Sequence, residues 1–159
     1  MKRKLLTLGV ALIFTLSATL SAFAAANPAK IITRNWTNFR GNQSHNAVVS
    51  DKLPTSAENA ALYWATKAGE GYGDGAIGSP ILVDGYLYFN QGKKIKKMDA
   101  MSGKVVATGK MVERSNFSII PPTYGDGKIF VGLANGRIQA FDAKTLKSLW
   151  VYQDKLKGQ

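Results

Sequence analysis

Cysteine is absent from the 159 residues, and histidine occurs once. Without cysteine no disulfide can stabilise the fold, and a bacterial lipoprotein, which needs a cysteine at its mature N-terminus, is excluded. A metal site made of several histidines, or a Ser-His-Asp triad, would have to depend on His45 alone. The composition therefore argues against two common kinds of catalytic centre.

Acidic residues are also scarce, with 10 Asp plus Glu against 21 Lys plus Arg. The basic residues are scattered, except at Lys93, Lys94, Lys96 and Lys97, where Ile95 and Met98 hold the core positions of a strand. A nucleic-acid site would interleave aromatic residues or arginines with such lysines, so we expect no nucleic-acid partner. A basic surface of this kind could instead rest against an anionic cell-wall polymer.

Only one apolar run approaches membrane length, and it lies at the N-terminus. Leu5 to Leu20 follows the basic residues Lys2, Arg3 and Lys4 and precedes Ala22-Phe23-Ala24. This pattern predicts a secretory signal peptide over 1–26, cleaved after Ala24 or Ala26. The mature chain is then secreted or extracytoplasmic, has no transmembrane anchor, and keeps 18 basic against 10 acidic residues.

What the chain does contain is a repeat. Pro80 matches Pro122, Asp84-Gly85 matches Asp126-Gly127, Asp99 matches Asp142, and position 107 matches Trp150, at a spacing of 42 to 43 residues. Units of about 40 to 45 residues are typical of propeller blades, which must stack against their neighbours to bury their apolar faces. The repeat predicts blade units at about 64–106 and 107–150.

Each unit reads as a four-stranded antiparallel meander. In the first unit, strands over 80–83, 86–89, 94–98 and 104–107 are separated by turns, and Asp84-Gly85 suits a two-residue hairpin. Segments 69–79 and 113–121 are expected to hold the innermost strands near a central channel. The predicted fold class is all-β: a partial β-propeller of about two blades over 61–159, after a lead-in segment at 27–60.

The ends of the two units resemble those of quinoprotein-type β-propellers, whose blades end in a pattern close to Ala-x-Asp-x-x-Thr-Gly-x-x-x-Trp. The second unit supplies Ala140, Asp142, Thr145 and Trp150, with Leu146 in the glycine place. The first unit supplies Asp99, Ser102 and Gly103, with Lys97 in the alanine place and Ala107 in the tryptophan place. Trp64 lies one period upstream. The resemblance implies architectural roles for these residues.

The lead-in segment also resembles the N-terminal entry of such propellers. Its motif comprises Trp36, Phe39, Arg40, Gly41 and His45, with Ala47 where glycine is usual. We expect packing of Trp36 and Phe39 to order this segment, and His45 to form hydrogen bonds within it. The resemblance then covers about residues 36 to 152.

Enzymes of this family use pyrroloquinoline quinone with calcium, and the groups that hold them come from many blades. This chain shows no compelling catalytic set or metal site. Glu70, Asp74, Glu113 and Arg114 are the charged residues of the expected channel segments, and we interpret them as solvated loop charges. The glycine-rich stretch at 71–78 lacks the strand, helix and Gly-Lys-Ser/Thr context of a phosphate loop.

Three functions follow from the sequence. The main interpretation is a non-catalytic scaffold or binding module at the bacterial cell envelope, part of a larger propeller whose partners are further blades or another protein. The second is the N-terminal part of a quinoprotein dehydrogenase. Of the three functions, only this one would require pyrroloquinoline quinone and calcium. The third is a binder of carbohydrate or wall polymer that uses Tyr72, Tyr86 or Tyr124. Two blades alone would leave an open edge.

Overall fold

A computed structural model describes residues 35–48, 55–60, 62, 64–67, 78–115 and 120–153. The predicted signal peptide with Ala24 and Ala26 lies outside these residues, as do Glu70, Tyr72 and Asp74. Within the described ranges, no helix has the length and apolar character needed to cross a membrane.

The described chain is all-β and forms two four-stranded antiparallel sheets, as the sequence predicts. The first sheet, blade 1, consists of β1 (Ile81–Val83), β2 (Tyr86–Gln91), β3 (Lys94–Asp99) and β4 (Val105–Lys110). The second sheet, blade 2, consists of β5 (Thr123–Gly125), β6 (Lys128–Gly132), β7 (Arg137–Asp142) and β8 (Ser148–Gln153). In both blades each strand pairs with the next along the chain. Ala57–Asn59 and Ala134–Gly136 form short 3-10 helices.

The Asp-Gly pairs form the first hairpin turn of each blade. Asp84 and Gly85 have φ angles of +49° and +80°, and Asp126 and Gly127 have φ angles of +48° and +68°. Two consecutive positive φ angles define the type I′ turn, whose twist matches that of antiparallel strands. Asp and Gly tolerate this conformation, so the dipeptide fixes the register of β1 on β2 and of β5 on β6.

The hydrophobic core lies between the two blades. Ile81 and Ile95 of blade 1 and Ile129 and Phe141 of blade 2 belong to one cluster and are all 0% exposed. Alternate residues of a strand point to opposite faces of its sheet, so each blade contributes one face to this core. Neither sheet would bury its apolar face without the other.

The innermost strands were expected in segments 69–79 and 113–121, of which the structure describes residues 78–79, 113–115 and 120–121. Residues 78–80, 111–115 and 120–122 contain no strand. The first strand of each sheet is β1 or β5 instead, directly after Pro80 or Pro122. Proline lacks an N–H group and restricts the residue before it, which explains why each strand begins just after the proline.

The N-terminal segment contacts the first strand of both blades. Trp36 forms an isolated antiparallel bridge with Leu82 of β1, with N···O distances of 2.7 and 2.9 Å. The carbonyl of Thr37 accepts a hydrogen bond from the amide of Tyr124 in β5 at 2.8 Å. The expected packing of Phe39 is wrong, since this side chain is 59% exposed. Backbone pairing and the half-buried Trp36 position this segment.

Candidate functional site: the junction between the blades

The Asp residues of the repeated motif organise the last turn of each blade. Asp99 Oδ1 accepts hydrogen bonds from the amides of Met101 and Ser102, at 3.1 and 2.7 Å, and from the Ser102 hydroxyl at 2.8 Å. Asp142 Oδ1 accepts the three equivalent hydrogen bonds, from the amides of Lys144 and Thr145 at 3.1 and 2.8 Å and from the Thr145 hydroxyl at 2.8 Å.

These bonds favour the ionised carboxylates. The side-chain hydrogen bond from Ser102 is the main cause that lowers the pKa of Asp99, and the bond from Thr145 does the same for the pKa of Asp142. Because Oδ1 of each Asp is occupied by its own turn, both carboxylates hold local structure.

Trp64 packs on the last turn of blade 1. Its indole Nε1 donates a hydrogen bond to the carbonyl of Ala100 at 3.0 Å. A Cβ on Gly103 would lie 2.6 Å from the Trp64 ring, and Gly103 has a φ of +66°. Only glycine satisfies both the close approach of the ring and the left-handed backbone without strain.

At the junction between blades 1 and 2 the sizes of the two corresponding residues are exchanged: the strand position is small and the turn position is large. Ala107 occupies the position of Trp64 one period later, and Leu146 occupies the position of Gly103. Leu146 is 2% exposed and belongs to the core cluster against which Ala107 packs. Its φ of +56° shows that the turn keeps the left-handed conformation even without glycine. A large residue in the turn thus faces a small residue on the strand.

Lys97 and Tyr88 tie blade 1 to the last turn of blade 2. The Tyr88 hydroxyl donates to the carbonyl of Ala143 at 2.8 Å. Lys97 Nζ donates to the carbonyls of Ala143 and Lys144 at 3.3 and 3.4 Å, and lies 4.2 Å from the centre of the Tyr86 ring. Burial lowers the pKa of Lys97 and raises the pKa of Tyr88 to about 12. The ammonium group thus combines hydrogen bonding with cation-π contact.

A second polar tie crosses the junction through Gln139, which is 1% exposed. Its Oε1 accepts a hydrogen bond from the amide of Val112 at 2.9 Å, and its Nε2 donates to the carbonyl of Lys110 at 3.3 Å and to Ser148 Oγ at 2.9 Å. Gln139 thus provides hydrogen-bond partners for the backbone amide of Val112 and the backbone carbonyl of Lys110, where the chain leaves β4. Arg137 and Glu113 form an ion pair beside it.

A cleft of about 600 Å³ opens at the end of the junction where the Asp-Gly turns lie. Tyr86 and Tyr124 line it together with Lys97, Lys128 and Asp126. Asp126 pairs with Lys128 at 2.5 Å, and the hydrogen bond from Lys128 is the main cause that lowers the pKa of Asp126. The cleft combines aromatic rings with charges of both signs, and both of its walls belong to described blades.

The N-terminal motif is a compact turn on the surface. Gly41 has a φ of +98°, and a Cβ there would lie 3.3 Å from the Trp36 ring. His45 is exposed, its backbone amide bonds to the carbonyl of Asn42 at 3.0 Å, and its ring meets Phe39 edge-on at 6.4 Å. Arg40 is exposed, and its carbonyl accepts a hydrogen bond from the amide of Ala47. The structure therefore places this motif at the first strands of the blades.

No catalytic set emerges among the described residues. They contain no group of three or more His, Cys, Asp or Glu side chains able to hold a metal ion. Of the charged residues expected in the channel segments, Glu113 pairs with Arg137, and the Arg114 carbonyl accepts the amide of Ala134.

Sequence reasoning missed Lys97, Tyr88 and Gln139 as junction residues. For Lys97 a signal existed, because a lysine stood where the repeat has Ala140. Tyr88 and Gln139 gave none, since alternating strands contain tyrosine and glutamine at many solvent-facing positions. Only the packing of one blade on the other shows that both are buried.

No family model matches the chain. A curated relative, the dehydrogenase subunit of a quinone alcohol dehydrogenase from Gluconobacter oxydans, is 32% identical over 85 residues, which are 48% of this chain and 11% of the relative. The corresponding subunit from Acetobacter aceti is 31% identical over 85 residues, or 48% of this chain and 12% of that protein. The chain thus spans about a tenth of the length of these relatives.

Solved structures of similar fold include quinoprotein dehydrogenases. A quinohemoprotein alcohol dehydrogenase from Pseudomonas putida superimposes with a TM-score of 0.56 at 20% identity, covering 79% of this chain and 20% of that one. The quinohemoprotein alcohol dehydrogenase from Comamonas testosteroni gives 0.55 at 22% identity, covering 80% and 20%. The described residues therefore have the fold of two β-propeller blades, similar to those of these quinoprotein dehydrogenases, as the sequence resemblance implied.

Proposed function

We propose that this chain is the N-terminal part of an extracytoplasmic quinoprotein dehydrogenase. The observation that carries the proposal is the identity of 29 to 32% with dehydrogenase subunits of quinone alcohol dehydrogenases, over 85 residues. The two-blade fold and its structural neighbours support the proposal. This function replaces the scaffold as our preferred interpretation, because those relatives are enzymes by name.

In this proposal the two blades supply walls, and other blades supply the catalytic groups. The described part has no metal-binding cluster, so pyrroloquinoline quinone and calcium would be held by residues elsewhere in the propeller. The partners of this chain are then further blades. The simplest check is the genomic sequence downstream of the Gln159 codon, where further units at a spacing of 42 to 43 residues are expected.

The function itself is tested on the full-length product of the gene. After incubation with pyrroloquinoline quinone and calcium, we expect a stoichiometric complex with quinone absorbance and reduction of an artificial electron acceptor in the presence of an alcohol. A folded full-length protein that binds no quinone would contradict the proposal and favour the scaffold. Calcium omission and a chelator provide the controls.

The cleft between the blades favours a second candidate function, the binding of carbohydrate or wall polymer. Tyr86 and Tyr124 offer ring surfaces, and Lys97, Lys128 and Asp126 offer hydrogen-bonding groups around them. Tyr124→Ala should then reduce retention on purified cell wall at low salt at least several-fold, while the exposed control Tyr152→Ala should not. Retention that is lost equally with both variants, or is absent in the wild type, would exclude this function.

Secretion is the remaining part of the proposal. The basic start, the apolar run and the small residues at Ala22 and Ala24 support export through a cleaved signal peptide. N-terminal sequencing of the protein recovered from outside the cytoplasm should begin after Ala24 or Ala26. An uncleaved N-terminus on exported protein would contradict this prediction.

A further inference from the structure

A small pocket of about 210 Å³ lies between the N-terminal turn and the two blades, at the other end of β1 and β5 from the cleft. Four of the residues that form its walls come from the N-terminal segment, and two are prolines ahead of β1 and β5. These residues are Trp36, Phe39, Arg40, Ala47, Pro80 and Pro121. Among the described residues, Arg40 is the one charged side chain that lines the pocket. Sites for drug-sized ligands measure about 300 to 1,000 Å³, so this pocket suits a smaller molecule.

The backbone holds Phe39 and Arg40 at the tip of a tight turn. Asn38 and Gly41 form an isolated antiparallel bridge, and the amide of Gly41 donates to the Asn38 carbonyl at 3.1 Å. The amide of Ala47 donates to the Arg40 carbonyl at 3.0 Å, which closes the following loop onto the turn. Phe39 is 59% exposed, so one large ring remains open to solvent. The turn is thus organised before any ligand arrives.

Arg40 adopts a backbone conformation that ordinary side chains disfavour. Its φ is +57°, and Ala47, which bonds to it, has a φ of +54°. Turns favour glycine or asparagine in this left-handed region. Other residues held there cluster at ligand sites, where the surrounding structure supports the strain. A turn that only reversed the chain would be more stable with glycine at position 40, so the arginine there points to a use of its side chain.

The guanidinium group of Arg40 is available for a ligand. Arg40 forms no ion pair within the described part of the chain, where Lys128 pairs with Asp126 and Arg137 with Glu113. A guanidinium group presents its N–H donors in a planar fork that matches a carboxylate through two parallel hydrogen bonds. The ring of Phe39 and the prolines supply apolar contact around that single charge.

We propose that this pocket binds a small monocarboxylate with a flat apolar body. Arg40 binds the carboxylate, while Phe39, Trp36 and the prolines contact the apolar body. One positive charge in an apolar pocket of this volume matches one negative charge on a compact molecule. The inference goes beyond the dehydrogenase proposal and does not depend on it, since neither the quinone nor an alcohol takes part.

The first experiment is a calorimetric titration of the full-length gene product with benzoate. We expect a dissociation constant of about 1 mM or tighter, a range that a ligand of this size can reach. Benzamide has the same shape without the charge and should bind at least about 10-fold more weakly, because hydrogen bonds to charged groups are stronger. Equal binding of the two, or no binding of benzoate to the folded protein, would overturn the proposal. Inorganic phosphate that binds as tightly as benzoate would indicate a general anion site and overturn the assignment to carboxylates.

The second experiment separates binding from stability. Arg40→Gly should weaken benzoate binding at least about 10-fold, yet leave the thermal midpoint unchanged or raise it, because glycine accepts the left-handed backbone without strain. Arg40→Lys keeps the charge but lacks the planar fork, and should weaken binding several-fold. Ala47→Gly is the matched control, since it relieves the same backbone conformation and should change binding by less than about 2-fold. Unchanged affinity in Arg40→Gly would show that the arginine is a solvated surface charge.

Fluorine NMR of protein labelled with 5-fluorotryptophan locates the ligand. Benzoate should shift the signal of Trp36, identified by its loss in Trp36→Phe, at the concentrations that saturate the calorimetric titration. The signals of Trp64 and Trp150 should stay in place. A shift of either of these two without a shift of Trp36 would place the ligand elsewhere and overturn the proposal. Neither experiment contains a quinone, so failure of the dehydrogenase proposal and failure of this inference are distinguishable.

Discussion

Lys97 shows how one residue can change the chemistry of a repeated interface. The same position in blade 2 is Ala140, which is 0% exposed and lies between Phe130 and Trp150. In blade 1 a lysine fits because Ala107, its strand partner, is small. The ammonium group then reaches two carbonyls of the neighbouring blade, so a polar tie replaces the packing of an indole ring.

The two turn aspartates should make the protein sensitive to acid. Their pKa values are lowered in the folded state, so their stabilising effect is present above the pKa of about 4 of the unfolded chain and is lost as the pH falls through the lower folded values. Asp99→Asn combined with Asp142→Asn should flatten the fall of the thermal midpoint below about pH 4.

The matched control for these aspartates is Asp84→Asn, which alters an exposed Asp bonded to Asn35 at 3.1 Å. It should leave most of the acid dependence in place. Thermal midpoints recorded by circular dichroism between neutral and acidic pH provide the measurement. An unchanged acid dependence in the double variant would show that these turns form equally well with neutral side chains.

Tyr88 should determine part of the alkaline stability. Its pKa is raised to about 12 by burial, above the value near 10 of an unfolded tyrosine. A raised folded pKa contributes stability that is present below pH 10 and lost as the pH rises towards 12. An absorbance titration of tyrosinate should therefore show a late group, which Tyr88→Phe removes.

Tyr152→Phe serves as the comparison for Tyr88, because Tyr152 is 54% exposed. This variant should leave the late group in place. Tyr88→Phe should also make the thermal midpoint less dependent on pH between about 10 and 12. If the late group persists in Tyr88→Phe, the hydroxyl of Tyr88 is not the buried one.

At the scale of strands, close backbone approach fixes how β4 meets blade 2. A Cβ on Gly109 would lie 2.6 Å from the carbonyl oxygen of Leu146 and 2.8 Å from Ile95. Gly109→Ala should therefore cost about 1 to 3 kcal/mol, the usual effect of overpacking, in urea denaturation. Gly125→Ala in β5 is the matched control, since its nearest atom would be 3.7 Å away. Equal losses would show that the blades can shift apart freely.

The strands were largely predictable from the sequence, because turns and alternation are local signals. Asp84-Gly85 and Asp126-Gly127 lie where hairpins were expected, and the strands after them begin within a residue or two of their predicted positions. No strand lies in the described parts of segments 69–79 and 113–121, where the inner strands were expected. The Pro80 and Pro122 boundaries were the better signal.

The junction could be predicted only in part. The departures from the repeat at Lys97, Ala107 and Leu146 are visible in the sequence, but their mutual compensation is not. It depends on which turn each strand meets, and that follows from the packing of one sheet on the next. The role of Gln139 could not be predicted either. The sequence around it alternates as in any half-exposed strand, and only the hydrogen bonds to the backbone of Lys110 and Val112 show its structural role.

At the scale of the whole molecule, the two blades are expected to behave as one cooperative unit. The buried core takes Ile95 from blade 1 and Ile129 and Phe141 from blade 2, so opening either blade exposes apolar surface of the other. Gln139 and Lys97 add polar ties across the same junction. Repeat arrays owe their stability to such interfaces as much as to single units.

Native-state hydrogen exchange would test this cooperativity directly. The amides of Ile95 and Ile129 should exchange with the same opening free energy and the same dependence on denaturant, because both require the junction to open. Gln139→Leu leaves the amide of Val112 without its partner and should lower both free energies together, by about 1 to 3 kcal/mol. Separate values for the two blades, or a loss confined to blade 2, would mean that each sheet is stable alone. The interface would then join two independently stable units.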